Sequence, residues 1–133
     1  MAVNVESLDK LERRITLTLP TTQISSEVES RLKKLSRTVK AAGFRPGDVV
    51  LNCYSYHLTP AGSMFETGLH RVGCAVIPGG VGQTEMQARV IADLRPAGYV
   101  GTPSFLKLIV EKCDELGVDS SSIRRALVSG EAF

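Results

Sequence analysis

Cysteine is scarce and long apolar runs are missing, and each lack narrows what this chain can be. The three cysteines, Cys53, Cys74 and Cys113, are odd in number and stand at no metal-ligand spacing. They argue for neither a disulfide framework nor a zinc site. They fall in apolar segments and read as small, reduced core residues of a cytoplasmic protein. Nothing approaches the roughly 18 consecutive apolar residues of a membrane span. The opening Met1-Ala2-Val3-Asn4-Val5-Glu6-Ser7 carries a carboxylate early, and lacks the basic start and apolar stretch of a secretory leader.

What is present is ordinary for a globular chain: 133 residues, 43% hydrophobic and 23% charged, about one domain with room for one core. The charge, however, is divided. Through Gly47 there are nine Lys and Arg against five acids, a net of +4, and from Asp48 onward seven against nine, a net of −2. A basic arm joins a slightly acidic body.

In the arm, Ile15, Leu17 and Leu19 alternate with Arg14, Thr16 and Thr18, the two-residue period of a strand with one wet face. Val3 and Val5 repeat the pattern on a shorter scale, so a β-rich leader is expected up to Pro20. Ile24, Val28, Leu32, Leu35 and Val39 then form one apolar stripe, which predicts an amphipathic helix over Gln23–Lys40. Lys33, Lys34, Arg37 and Lys40 crowd its C-terminal half, where cations suit the helix dipole. Spacing alone reads that run as a solvated helix face.

Beyond Gly47 strands and helices alternate. Asp48–Cys53, Cys74–Pro78, Tyr99-Val100 and Ala126–Val128 are β-rich, with helices expected at about Ala61–Val72, from Thr84 to Leu94, and from Thr102 to Leu116. Thr84-Glu85-Met86-Gln87 has the spacing of a capping box, Met86, Val90, Ile91 and Leu94 are the expected buried face of that helix, and Thr102-Pro103 suits a helix start. The alternation predicts an α/β fold: a four-strand parallel, flavodoxin-like half sheet with three flanking helices, preceded by the leader and the long helix. Ligands of such sheets sit beyond the strands' carboxyl ends. Tyr54-Ser55-Tyr56-His57, Gly79-Gly80-Val81-Gly82 and Ser129-Gly130-Glu131-Ala132-Phe133 occupy those places. The glycine run lacks the Lys-Ser/Thr of a Walker loop, and His57 has no Asp, Cys or second His at catalytic or ligand spacing.

Two family resemblances attach to these segments. The Val5-Glu6-Ser7 and Leu11–Pro20 leader, the basic helix and Gly43-Phe44-Arg45 resemble the ribosome-binding N-terminal domain of trigger factor. That resemblance implies that Gly43, Phe44 and Arg45 form a ribosome-docking signature, with an exposed Phe44 as apolar anchor and Arg45 paired to a carboxylate or phosphate. In place of that domain's second helix, Gly47 is followed by a strand. From Gly47-Asp48 through Ser129-Gly130-Glu131-Ala132-Phe133 the chain resembles an internal piece of the phenylacetate-CoA ligase family of AMP-forming enzymes. That resemblance implies an acyl pocket at Tyr56, His57, Ala61 and Gly62, and an adenine border at Gly130, Glu131 and Ala132.

The ligases use ATP, Mg²⁺ and CoA, yet the chain contains neither their Ser/Thr/Gly-rich phosphate loop nor their magnesium-positioning segment nor the domain carrying their catalytic lysine. No catalytic residue, metal site or cofactor is therefore expected. The expectation is a chimeric scaffold, with residues 1–47 from one parent and 48–133 from the other, and without native activity. A ribosome-docking module and a residual acyl- or nucleotide-binding fragment are the alternatives. The expected partners are further copies of the chain, including a dimer with exchanged N-terminal arms, and the ribosome through the N-terminal segment. No membrane and no specific DNA is expected among them.

Overall fold

The computed structural model describes residues 26–131. The expected leader strands, Gln23 and Ile24, and Ala132 and Phe133 lie outside the described residues. The chain divides into two units, residues 1–31 and 32–133. In the described part of the first, the opening of helix α1 (Ser26–Ala41) carries a Glu27–Arg31 ion pair of 2.7 Å one turn apart.

The second unit holds the rest of α1, then β1 (Val49–Asn52), α2 (Ala61–Val72), β2 (Ala75–Pro78), α3 (Thr84–Leu94), β3 (Gly98–Gly101), α4 (Pro103–Leu116) and β4 (Arg125–Val128). All strand pairs are parallel and the order is β2-β1-β3-β4. This is the four-strand parallel α/β fold that the alternation predicts. In the two central strands Val50–Asn52 and Gly98–Gly101 are buried, and successive side chains feed opposite faces. Val50 and Val100 join Val39, Leu69 and Val72 on the α1/α2 face. Leu51 and Tyr99 join Ala88, Ile91, Ile109 and Cys113 on the α3/α4 face. The three cysteines are free and buried, and burial pushes the Cys53 thiol up to about 12, so it stays protonated and inert.

The helix ends show where local signals held. Thr102 caps α4 by accepting from Phe105 N at 3.4 Å, Pro103 opens the helix, and Gly117 closes it with φ +67°. The capping box at Thr84 is not formed. Gln83 takes the cap position in the left-handed region (φ 50°) with no side-chain bond. α3 turns a partly different face inward: Ile91, and in part Val90, face the core as expected. Gln87, Ala88 and Ile91 are buried while Met86 and Leu94 stand more than half exposed. The reason is Gln87, whose amide the glycine turn after β2 uses, so a polar residue occupies the inner stripe.

Among the described residues no helix is long and apolar enough to cross a membrane, and no group of three His, Cys, Asp or Glu is gathered to hold a metal.

Candidate functional site

At the carboxyl ends of β1 and β2 lies a cavity of about 410 Å³. Tyr56 and His57 line it, opposite Ile77, Gly79, Gly80, Met86, Gln87 and Val90. Its polar groups are largely committed to the protein itself. Asn52, fully buried at the end of β1, donates through Nδ2 to Tyr56 Oη (2.9 Å) and Gly62 O (2.9 Å), and its Oδ1 accepts from Tyr54 N at 3.1 Å. Tyr56 Oη in turn donates to Glu66 Oε2 at 2.7 Å. Burial first, then the Glu66 bond, push the Tyr56 phenol well above its ordinary value, so the ring is a neutral wall with its hydroxyl turned to the protein. Gln87 Nε2 donates to Gly79 O (2.9 Å) and Gly80 O (3.3 Å), holding the glycine turn open.

Of the expected acyl-pocket residues, the structure therefore brings Tyr56 and His57 to the cavity wall. Ala61 and Gly62 begin α2 and are not among the lining residues. Gly62 serves instead as a backing plate, since a Cβ there would lie 2.8 Å from Ser55 O and from the Tyr56 ring. Asn52, Glu66 and Gln87 were not expected at the site. Only Asn52 left a trace, as an amide ending an otherwise apolar strand.

Gly130 and Glu131 sit at the other side of the sheet, after β4. Glu131 accepts from Ser104 N (3.1 Å) and Ser104 Oγ (2.5 Å) in the first turn of α4. Those two bonds hold its carboxyl below the usual range, and the helix start favours a negative charge. Between the two places Tyr54 Oη and Ser129 Oγ meet at 2.5 Å. No nucleophile-and-base pair is assembled among these groups.

The third candidate is the pentapeptide after α1. Lys33, Lys34, Arg37 and Lys40 are exposed along the helix, and so is Arg45. Lys33, Arg37 and Lys40 follow one another at steps of four and three residues, a single stripe along the helix. Phe44 departs from the expectation of an exposed anchor: it is 3% exposed and belongs to the α1/α2-face core. The physical reason is Gly98 in β3, whose missing side chain leaves a notch that the Phe44 ring fills.

Residues 1–65 match the family model of the bacterial trigger factor protein. The N-terminal region is similar to trigger factor. The trigger factor of Paracidovorax citrulli is 48% identical over 98 residues, 74% of this chain and 20% of that protein. The trigger factor of Albidiferax ferrireducens is 64% identical over 55 residues, 41% of this chain and 13% of that protein. The chain thus spans about a fifth or less of these trigger factors.

By fold, the chain is similar to different proteins. An open-conformation crystal structure of 2-hydroxyisobutyryl-CoA ligase superposes with a TM-score of 0.73 at 22% identity, covering 80% of this chain and 24% of that one. A luciferase-like enzyme from Zophobas morio gives 0.58 at 17% identity, again over 80% of this chain and 24% of that one. Apo MatB from Rhodopseudomonas palustris gives 0.53 at 17% identity over 71% and 19%. At these identities the likeness is one of fold.

Proposed function

We propose that the chain is a ribosome-docking module of the trigger-factor type, acting through the exposed basic stripe of α1 and the signature Gly43-Phe44-Arg45. The observation that carries this reading is the trigger-factor match over residues 1–65. It supports a docking use for a charge run that spacing alone reads as a solvated helix face. The stripe and Arg45 present four cations, Lys33, Arg37, Lys40 and Arg45, to solvent, and such rims set the rate and salt dependence of docking on an anionic partner. Docking on ribosomes also makes the chain cytoplasmic. Sedimentation of the full chain with purified ribosomes through a sucrose cushion tests this. Binding should weaken about tenfold or more in a Lys40→Glu, Arg45→Glu variant. Equal sedimentation of the variant and the wild type would overturn it.

A second reading concerns residues 48–133, which we propose derive from an adenylating-enzyme fold and serve as a scaffold without ligase activity, joined to the arm at residue 47. The superposition on 2-hydroxyisobutyryl-CoA ligase supports the fold, and the committed hydrogen bonds of Tyr56, Asn52 and Gln87 support a structural use of the cavity wall. On this reading Tyr56 and His57 are remnants of an acyl pocket, with Ala61 and Gly62 behind them, and Gly130, Glu131 and Ala132 are remnants of an adenine border. We further propose that the chain self-associates, one form being a dimer with exchanged N-terminal arms. Among the described residues the sheet ends in two edge strands, β2 and β4, and such edges are seldom left open. A mass of one chain by light scattering at tens of micromolar would count against self-association.

A further inference from the structure

We propose that the α/β body holds the docking signature in a closed form and competes with the ribosome for Phe44. This closed form presupposes the docking reading above and adds how that site is regulated.

Its basis is the way residues 43–48 are tied down. The Phe44 ring fills the Gly98 notch so closely that a Cβ on Gly98 would stand 2.2 Å from Phe44 Cε1 and 3.2 Å from Cζ. Val39, Val50, Val72, Cys74 and Val100 belong to the same core cluster as the ring. The flanking backbone is pinned on either side. Phe44 N donates to Val39 O at 3.3 Å, and Gly47 N donates to Gly73 O at 2.9 Å. Cys74 Sγ donates to Arg45 O at 3.4 Å.

One carboxylate oxygen completes the clamp. Asp48 Oδ2 accepts both from Arg45 N at 2.9 Å and from Arg125 Nη1 at 3.1 Å. The Asp48 and Arg125 side chains are 18% and 28% exposed, so salt screens this pair less than a surface ion pair. The signature's backbone is thereby bridged to the start of β4.

Half of the signature is on display and half is withheld. Arg45 is exposed, whereas Phe44 is closed off. A partner that uses the Phe44 ring meets it only in the open fraction, and its apparent affinity is the intrinsic one scaled by that fraction. Loosening the clamp should therefore strengthen docking, the opposite of what loosening a binding surface ordinarily does.

Opening and docking can be read separately on the full chain. Native-state chymotrypsin cleavage after Phe44 reports opening, and ribosome co-sedimentation reports docking. Asp48→Asn removes the charge from the bridge while keeping its shape, and Gly98→Ala fills the notch. Both variants should speed cleavage after Phe44 and tighten ribosome binding by about fivefold or more. Faster cleavage with unchanged or weaker ribosome binding would overturn the closed form while leaving docking through the basic stripe in place. Unchanged cleavage in both variants would overturn it as well, because the clamp would then not be what covers Phe44. If cleavage quickens and neither the wild type nor the variants sediment with ribosomes, the docking reading itself fails. Circular dichroism monitors Gly98→Ala for loss of fold, in which case Asp48→Asn carries the test.

Discussion

If the proposed docking reading holds, Phe44 serves two masters, a buried core and a docking partner, and that conflict is set at the scale of single residues. The ring lies at 3% exposure in the α1/α2-face core. Truncation to alanine removes a buried aromatic and leaves its space to be filled, a change that costs about 3–5 kcal/mol. Urea denaturation of Phe44→Ala should show that loss as a lowered midpoint with an unchanged slope. A midpoint shift near zero would mean the ring contributes little to this core. It follows that Phe44→Ala is a poor probe of docking, since it unsettles the fold at the same stroke. Exposed Arg45 and Lys40 are the cleaner levers. Glu131 shows the same logic in the body: a residue that family likeness sets beside adenine is engaged here with Ser104 at a helix start.

At the scale of elements, most of the fold was legible and most of the site was not. Strand and helix positions followed from period and from punctuation by Gly, Pro and Thr, and α2 begins and ends where the apolar spacing places it. Where the reading of α3 failed, a polar side chain had taken an inner position. The apolar stripe of Met86, Val90, Ile91 and Leu94 has the right period, but Gln87 is needed to hold two carbonyls of the turn before it. A buried amide is tolerated inside once its hydrogen bonds are made to backbone, and no periodicity announces it. Phe44 was misplaced for a related reason. Whether a lone phenylalanine in a Gly/Pro loop is shown or hidden depends on Gly98, 54 positions further on, and composition near Phe44 carries no trace of that notch. The Asn52–Tyr56–Glu66 chain likewise joins residues of a strand end, a loop and a helix, a juxtaposition that only folding creates.

At the scale of the whole molecule, trigger-factor likeness in sequence and ligase likeness in fold meet in one chain. On the proposed scaffold reading, the ligase-like fold does not carry ligase chemistry with it. Pocket walls contribute binding, whereas acceleration needs groups that stabilise the charge developing on the phosphoryl group. Incubation of the purified chain with ATP, Mg²⁺, CoA and phenylacetate or benzoate should therefore release no pyrophosphate above a buffer blank. Turnover that disappears in Tyr56→Ala would show that the scaffold reading is wrong.

The Asp48–Arg125 bridge joins positions 77 residues apart, and that separation has a meaning in time. A chain is made from its N-terminus, at about 5–20 residues per second. Between the synthesis of Asp48 and that of Arg125 there is thus an interval of roughly 4–15 s, from the 77-residue span at that pace. Gly98, the seat of the Phe44 ring, also arrives only within it. During those seconds Val39, Val50, Leu69, Val72 and Cys74 of the Phe44 cluster are already made or are made early, whereas Gly98, Val100 and Arg125 come late. The folded chain hides the residue, and the two contacts that seal it, the Gly98 notch and the Asp48–Arg125 bridge, are among the last to be made.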